Sequence, residues 1–312
     1  MRFFKRHKKK KIILLVFAML ILMVVGIYGS IVWKLHEGMV DVVDPDDVDP
    51  TAEQVAIARE EPQDEEVYNV LLVGTDSRDP ESDMGRSDSM MMVSFNNTQK
   101  KATTVSFLRD SLVEIDGHGK SRLGHTYAYG GVGLTINTIN KVYDLDIQDY
   151  VIINFENMVS VVDELGGIEV HLSAEEAEYY RQHGMPNIQE GTVTLTGAQA
   201  LAHARNRSLD NDFGRTRRQR SVVYGIYKKV LQKKDPTTLL PLINFCMTQV
   251  QTNMSVSEIT DMATKVLSID DLTVQQMSVP ADGTYQGITY QGMEVLEIDI
   301  EANKEKLKQF LY

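Results

Sequence analysis

With only one cysteine in 312 residues, Cys246, the chain has no internal disulfide. Cys246 stands in an apolar stretch at residues 239–250, where a buried small hydrophobe is expected rather than a reactive thiol. The seven histidines form no HExxH pattern and no paired Cys/His spacing, which argues against a zinc site. P-loop, kinase and nucleophile-elbow motifs are all missing, so a nucleoside triphosphate is not indicated as substrate. Basic side chains are scarce beyond the N-terminus. Eight of the 32 lysines and arginines fall within the first 34 residues and none of the 44 acids does, leaving 24 basic against 44 acidic side chains. A region that acidic is repelled by nucleic-acid phosphates, and no nucleic-acid partner is expected. An apolar content of 43% is enough for a packed core and excludes global disorder.

The N-terminus has a different character. Residues 1–11 carry seven basic side chains and no acid. Residues 12–33 then form an apolar run of 22 residues without a charge, bracketed by Lys11 and Lys34. At 1.5 Å per residue a helix of that length crosses a hydrocarbon core of about 30 Å. Tyr28 and Trp33 stand where interfacial aromatics belong. A cleaved signal peptide has a shorter apolar region ending in small residues, whereas this run continues past Gly26, Gly29 and Ser30. The pattern predicts a cytoplasmic basic tail (1–11), a single retained transmembrane helix (12–33) and an extracellular remainder in the cell membrane. Residues 34–67 read as an acidic stalk: from position 35 onward twelve acids face a single arginine, Arg59, with Pro45, Pro50 and Pro62. Residues 68–312 form the extracellular domain.

Within that domain a short apolar run at 69–73 predicts a buried strand. Residues 89–95 and 102–107 predict two strands joined by a polar turn. Helical spacing of Val132, Leu134, Ile136, Ile139 and Val142 predicts a helix, opened by Gly130, Gly131 and Gly133 rather than a dinucleotide fingerprint. A strand at 150–155, a helix at 158–165 stopped by Gly166 and Gly167, and a strand at 168–170 follow. Helices are expected at 197–206, 215–232, 239–250 and 256–267, strands at 272–279 and 287–300, and a final helix from Glu301. Interspersed strands and helices predict an α/β domain, layered α-β-α, with a mixed central sheet.

Two segments carry candidate chemistry. In the first, Asp76 follows one strand and Asp88 precedes the next, close to Arg78 and Arg86. A return of the chain there brings both carboxylates to one rim, although Asp and Ser are also ordinary turn residues. The second runs from Arg205 to Arg220 and holds six arginines and no lysine: Arg205, Arg207, Arg215, Arg217, Arg218 and Arg220. A solvated helix face explains many charge runs, but guanidinium is the group suited to bidentate phosphate contacts. Arg215, Arg218 and Gln219 share one face of a helix whose N-terminus itself favours anions. Arg109, just after a strand, adds another cation. Carboxylates among arginines suggest a phosphate-bearing substrate bridged by Mg²⁺.

These residues resemble the LytR–CpsA–Psr family of cell-envelope proteins. The resemblance runs through Asn69-Val-Leu-Leu-Val-Gly-Thr-Asp76-Ser-Arg78, Arg86-Ser-Asp88-Ser and Ser106-Phe-Leu-Arg109-Asp110. It continues in Tyr127-Ala-Tyr-Gly-Gly131, Asp163-Glu-Leu-Gly-Gly-Ile-Glu-Val170, Ala200-Leu-Ala-His-Ala-Arg205-Asn-Arg207 and Asp212-Phe-Gly-Arg215-Thr-Arg-Arg218-Gln219-Arg220. It implies a domain binding a polyprenyl pyrophosphate, with the lipid in an apolar groove. Carried over residue by residue, it implies Asp76 and Asp88 as ligands of Mg²⁺ or Mn²⁺. Arg86, Arg109, Arg205, Arg207, Arg215 and Gln219 are implied as pyrophosphate contacts, with Arg218 on the same helix face, and Asp212 as candidate base. His203 stands where the family usually has an aromatic residue, and Leu123-Gly124 where it usually has Ile-Asn.

The implied reaction transfers an anionic glycopolymer, such as teichoic acid or capsule, from polyprenyl pyrophosphate to peptidoglycan. Its partners are the lipid-linked glycan, peptidoglycan and membrane lipid. A polyprenyl-pyrophosphate phosphatase and a non-catalytic lipid-glycan binding module are the competing readings.

Overall fold

A computed structural model describes residues 55–58, 66–75, 87–232, 236–267 and 273–312, all within one compact unit spanning 41–312. The basic tail, the apolar run at 12–33, nearly all of the stalk, and both Asp76 and Arg86 lie outside the described residues. Among the described residues no helix is long and apolar enough to cross a membrane.

The chain forms β1 (Val67–Thr75), β2 (Ser87–Asn96), β3 (Lys101–Phe107), β4 (Ser111–Ile115), β5 (Gly119–Arg122) and, after a 3-10 turn at Leu123–His125, α1 (Thr126–Tyr143). Next come β6 (Asp149–Asn154), α2 (Phe155–Glu164), β7 (Ile168–Leu172), α3 (Ala174–Gln182), β8 (Gly191–Leu195), α4 (Gly197–Arg205) and α5 (Asp212–Leu231). The last part holds α6 (Pro236–Met247), β9 (Gln251–Thr252), α7 (Val256–Leu267), β10 (Thr273–Val279), β11 (Tyr285–Tyr290), β12 (Met293–Ile298) and α8 (Ile300–Leu311).

Six strands build a mixed sheet in the order β10-β3-β2-β1-β6-β9. β1 is antiparallel to β2 and parallel to β6, and β3 is parallel to β10. Alternation along the strands separates two faces. Leu71, Val73, Met90, Met92, Val105 and Phe107 point to one face, where Ile136 and Ile139 of α1 and Leu307 and Leu311 of α8 cover them in the main core. The register puts Leu72 beside Met91 and Val151 on the other face, and Val70 beside Val93. There Leu72, Val93, Val151 and Ile153 remain only half-buried. α5 lies against this second face at the β3–β10 edge, where Arg220 donates to Ser106 and Ser278. The α-β-α layering expected from the pattern is therefore present. A second core joins α2 to α6 around the β7–β8 ribbon through Val162, Ile168, Leu195 and Val222.

α1 breaks at Gly130 and Gly131, the latter at φ 66°, so the glycine run opens the second, longer part of the helix. The break admits the segment 55–58: Val55 N–H donates to Gly130 O, and a Cβ on Gly133 would stand 1.6 Å from Val55 O.

The pattern needs correction in several places. The strand expected at 287–300 is a hairpin, β11 and β12, turned at Gln291 and Gly292, both with positive φ (49° and 81°). The sequence pattern does not announce β4, β5, β8, β9 or α3, and the helix expected at 239–250 ends at Met247. α3 is announced locally by a capping box, Ser173 with Glu176, which the short, polar helix hides from a periodicity argument. Helix α5 begins at Asp212 rather than Arg215, because the Asn211 side chain caps it by accepting from the N–H groups of Phe213 and Gly214.

Candidate active site

The first turn of α5, the end of β3 and the start of β2 converge on one charged cluster. Asp88, near the start of β2, accepts through Oδ1 from Arg109 Nη1 at 2.9 Å and from Arg207 Nη2 at 3.2 Å. Arg215 Nη2 meets Asp212 Oδ1 at 2.6 Å, one helical turn apart. Burial lowers the pKa of the Arg215 guanidinium; Asp212 opposes that shift, Arg109 and Arg207 reinforce it, and Asp88 opposes it. Those couplings place the five side chains within one electrostatic neighbourhood.

The cluster carries more hydrogen-bonding capacity than the protein uses. Arg215 is 2% exposed, yet its Nε and Nη1 have no hydrogen-bond partner among the described residues, and neither does the buried Asp212 Oδ2. Arg109 Nε makes no hydrogen bond either, although Asp110 Oδ2 lies 3.8 Å away. Each such buried group costs roughly 1–3 kcal/mol, more when charged, unless a ligand completes it. Asp88 Oδ2 likewise accepts no hydrogen bond from a described residue. Chemically the arrangement suits an anion with several acceptor oxygens, next to a carboxylate able to take a proton.

The residues expected from the sequence separate here. Asp88, Arg109, Arg207, Arg215 and Asp212 come together. Asp76 and Arg86 lie outside the described residues. Arg205 is exposed and stacks over the Phe155 ring at 4.6 Å, beyond the end of β6. Gln219 is half-buried, one helical turn after Arg215.

Arg218 is not available to a substrate in this arrangement. It is 1% exposed and holds Asp210 through both oxygens (2.6 and 3.1 Å), with a further bond to Asn206 O and Glu176 3.6 Å away. It clamps the loop between α4 and α5. The same contacts, with Arg217 at 3.4 Å, commit Asp210 to structure. Gly214 makes room for that carboxylate, since a Cβ there would stand 1.8 Å from Asp210 Oδ2.

Sequence reasoning missed the supports. His203 is buried between Tyr180 OH (2.9 Å) and Ser221 Oγ (3.1 Å), joining α3, α4 and α5. Burial lowers its pKa to about 4, against an opposing effect of Glu176. Arg220 is 8% exposed and among the described residues is bound by neutral groups, Ser106, Ser278 and Gln276. Burial lowers its pKa to about 10, so it stays charged at neutral pH. One serine stands next to last in each strand, Ser106 in β3 and Ser278 in β10, but only the register brings the two together.

The family model LytR_cpsA_psr matches residues 36–309. A protein of Bacillus licheniformis described as polyisoprenyl-teichoic acid–peptidoglycan teichoic acid transferase TagU is 31% identical over 310 residues, covering 93% of this chain and 93% of that protein. The crystal structure of B. subtilis TagT superposes with a TM-score of 0.66 at 27% identity, over 82% of this chain and 99% of that one. A TagT structure with bound octaprenyl pyrophosphate lipid superposes with a TM-score of 0.61 at 26% identity, over 84% and 98%.

Proposed function

Because the chain belongs to the LytR–CpsA–Psr family, we propose that it transfers an anionic, teichoic-acid-type glycopolymer from polyprenyl pyrophosphate to peptidoglycan. The observation that carries this reading is the set of unsatisfied donors on buried Arg215 beside the unused oxygen of Asp212. Arg109, Arg207 and Arg215 bind the pyrophosphate oxygens. An acceptor hydroxyl attacks the glycan-linked phosphorus, forming a new P–O bond as the bond to the bridging oxygen breaks. The bridging oxygen leaves with polyprenyl phosphate, and Asp212 Oδ2 takes the hydroxyl proton. Guanidinium groups held in a partly dry site stabilise charge developing on the phosphoryl oxygens. The half-buried apolar sheet face beside α5, with Leu72, Val93, Val151 and Ile153, supplies a surface for the prenyl chain.

Asp88 and Asp76 would hold Mg²⁺ or Mn²⁺. The fit rests on Asp88 Oδ2, which no described residue occupies, and on the preference of a hard cation for one or two carboxylates plus phosphate oxygens and water. Such an ion supplies charge neutralisation at the phosphate oxygens. The run at 12–33 anchors the domain on the outer face of the membrane, and protease added to intact protoplasts should remove Tyr312; protection of that end refutes the topology.

The reaction is tested with full-length protein in detergent, a lipid-linked glycan and peptidoglycan oligomers. A phosphodiester-linked product is expected. Release of inorganic or glycan phosphate alone supports a phosphatase, and binding without turnover supports a binding module.

A further inference from the structure

We propose that the stacked rings of Phe213 and Tyr285 form a ledge that receives a sugar ring of the acceptor glycan beside Asp212. This inference rests on the transferase reading and adds an acceptor subsite to it. Phe213 directly follows Asp212 in the first turn of α5. Successive helical residues point about 100° apart, so one side chain serves the charged cluster while its neighbour reaches across to β11. The Phe213 and Tyr285 ring centroids lie 5.1 Å apart at an interplanar angle of 27°. Both residues are half-buried, leaving part of the pair accessible.

Tyr285 opens β11, the edge strand of a four-stranded sheet ordered β11-β12-β4-β5. That sheet is fastened to the phosphate end of the site. β12 runs parallel to β4 with Leu296 beside Ser111, and Leu296 N–H donates to Asp110 O at 2.8 Å, one residue after Arg109. The aromatic pair therefore spans two walls: α5, which carries Asp212 and Arg215, and the small sheet, registered on Arg109. Among the described residues it is the one ring contact joining those walls. Another stack, His118 on Tyr129 at 4.4 Å, belongs to the β4–β5 turn and α1 and shares no element with Asp212.

The chemistry of the two substrates separates along this line. Guanidinium groups recognise the anionic donor, but a glycan hydroxyl bound for attack brings little charge for them to hold. The C–H faces of a pyranose pack on the negative face of an aromatic ring, and a tyrosine adds a hydroxyl at the wet edge. A ring seated on Phe213 and Tyr285 has its hydroxyls next to the residue that takes the proton.

The test uses full-length protein, a short-chain lipid pyrophosphate-linked glycan as donor and a peptidoglycan amino-sugar oligomer stripped of stem peptides as acceptor. Tyr285→Ala should raise the acceptor KM about 10- to 100-fold, the loss expected for one aromatic stacking surface. Tyr285→Trp should restore it to within about threefold, and the Kd for polyprenyl pyrophosphate should stay within about twofold in both variants. An unchanged acceptor KM in Tyr285→Ala overturns the ledge. So does a parallel loss of donor affinity that tryptophan fails to restore, because the stack would then be only a clasp between α5 and β11. Saturation only by oligomers that keep their stem peptides also overturns it, in favour of peptide recognition. Calorimetric titration of the oligomer without donor separates the two levels. Tyr285-dependent binding with no product in the wild type defeats the transferase reading alone. Product formation with binding indifferent to Tyr285 defeats the ledge alone.

Discussion

Asp212 and Arg215 meet at 2.6 Å across the first turn of α5, and each keeps a buried polar group without a hydrogen-bond partner among the described residues. Arg218 uses both terminal nitrogens on Asp210 and Asn206 and leaves only its Nε without a partner among the described residues, where Arg215 leaves both Nε and Nη1. Asp212→Asn preserves the shape and an acceptor for Arg215. Transfer should fall about 10²- to 10⁴-fold, the contribution of a positioned base. Affinity for the lipid pyrophosphate should hold or tighten, since a negative charge leaves the site. If binding and transfer fall together in a donor-titration assay, Asp212 acts only by positioning Arg215.

Lysine substitutions should grade the arginines. Arg207→Lys and Arg215→Lys keep charge but lose the planar fork, and kcat/KM should fall about 10- to 1000-fold. Arg217→Lys, on an exposed side chain, should change it little. Arg218→Lys should act through stability instead, lowering it by about 1–3 kcal/mol as the Asp210 clamp is lost. Calorimetric Tm values measured alongside the kinetics distinguish these cases, and equal tolerance at Arg207, Arg215 and Arg217 would remove Arg207 and Arg215 from the phosphate contacts.

Metal dependence should pass through Asp88. Asp88→Asn retains an acceptor for Arg109 and Arg207 but removes the charge a divalent ion requires. The Mg²⁺ concentration giving half-maximal turnover should rise at least about 10-fold, in line with the carboxylate preference of that ion. Asp76→Ala should behave alike. A half-activating concentration identical to wild type takes the mutated residue out of the ligand set.

Acid should loosen the arms that carry the arginines. His203 has a folded-state pKa lowered to about 4, so its neutral form is the one the fold accepts. The unfolded chain takes up a proton near pH 6.5, and stability is therefore full above that value and lost as pH falls toward 4. The loss is of the order of 3 kcal/mol across this window at about 1.4 kcal/mol per unit. Tm measured from pH 7 to 4.5 should drop more in the wild type than in His203→Phe, which cannot titrate. Parallel profiles would remove His203 as the cause.

Much of this architecture was legible along the chain. The strands of the central sheet other than β9, and helices α1, α2, α4 and α7, follow from apolar periodicity and glycine stops, because burial of one face repeats every second or every third to fourth residue. The β11–β12 hairpin escaped that reading because its two-residue turn offers a single turn-forming residue, Gly292, beside Gln291 at positive φ, within an otherwise strand-like stretch. The arginine run, too, stood out from an acidic chain by composition alone.

What the sequence determined by itself was the supply of groups: guanidinium rather than ammonium, two carboxylates at strand ends, and a helix carrying Arg215 and Arg218. Their assignment to roles came only with the tertiary structure. Asp88 meets Arg109 across 21 residues and Arg207 across 119, distances closed by strand register and by the placement of α4 and α5. Arg215 and Arg218 are indistinguishable as letters three apart. Among the described residues Arg218 spends both terminal nitrogens on Asp210 and Asn206 and leaves only Nε unpaired, whereas Arg215 leaves Nε and Nη1, because pairing depends on which groups the fold brings within about 4 Å, and spacing along a helix carries no record of that.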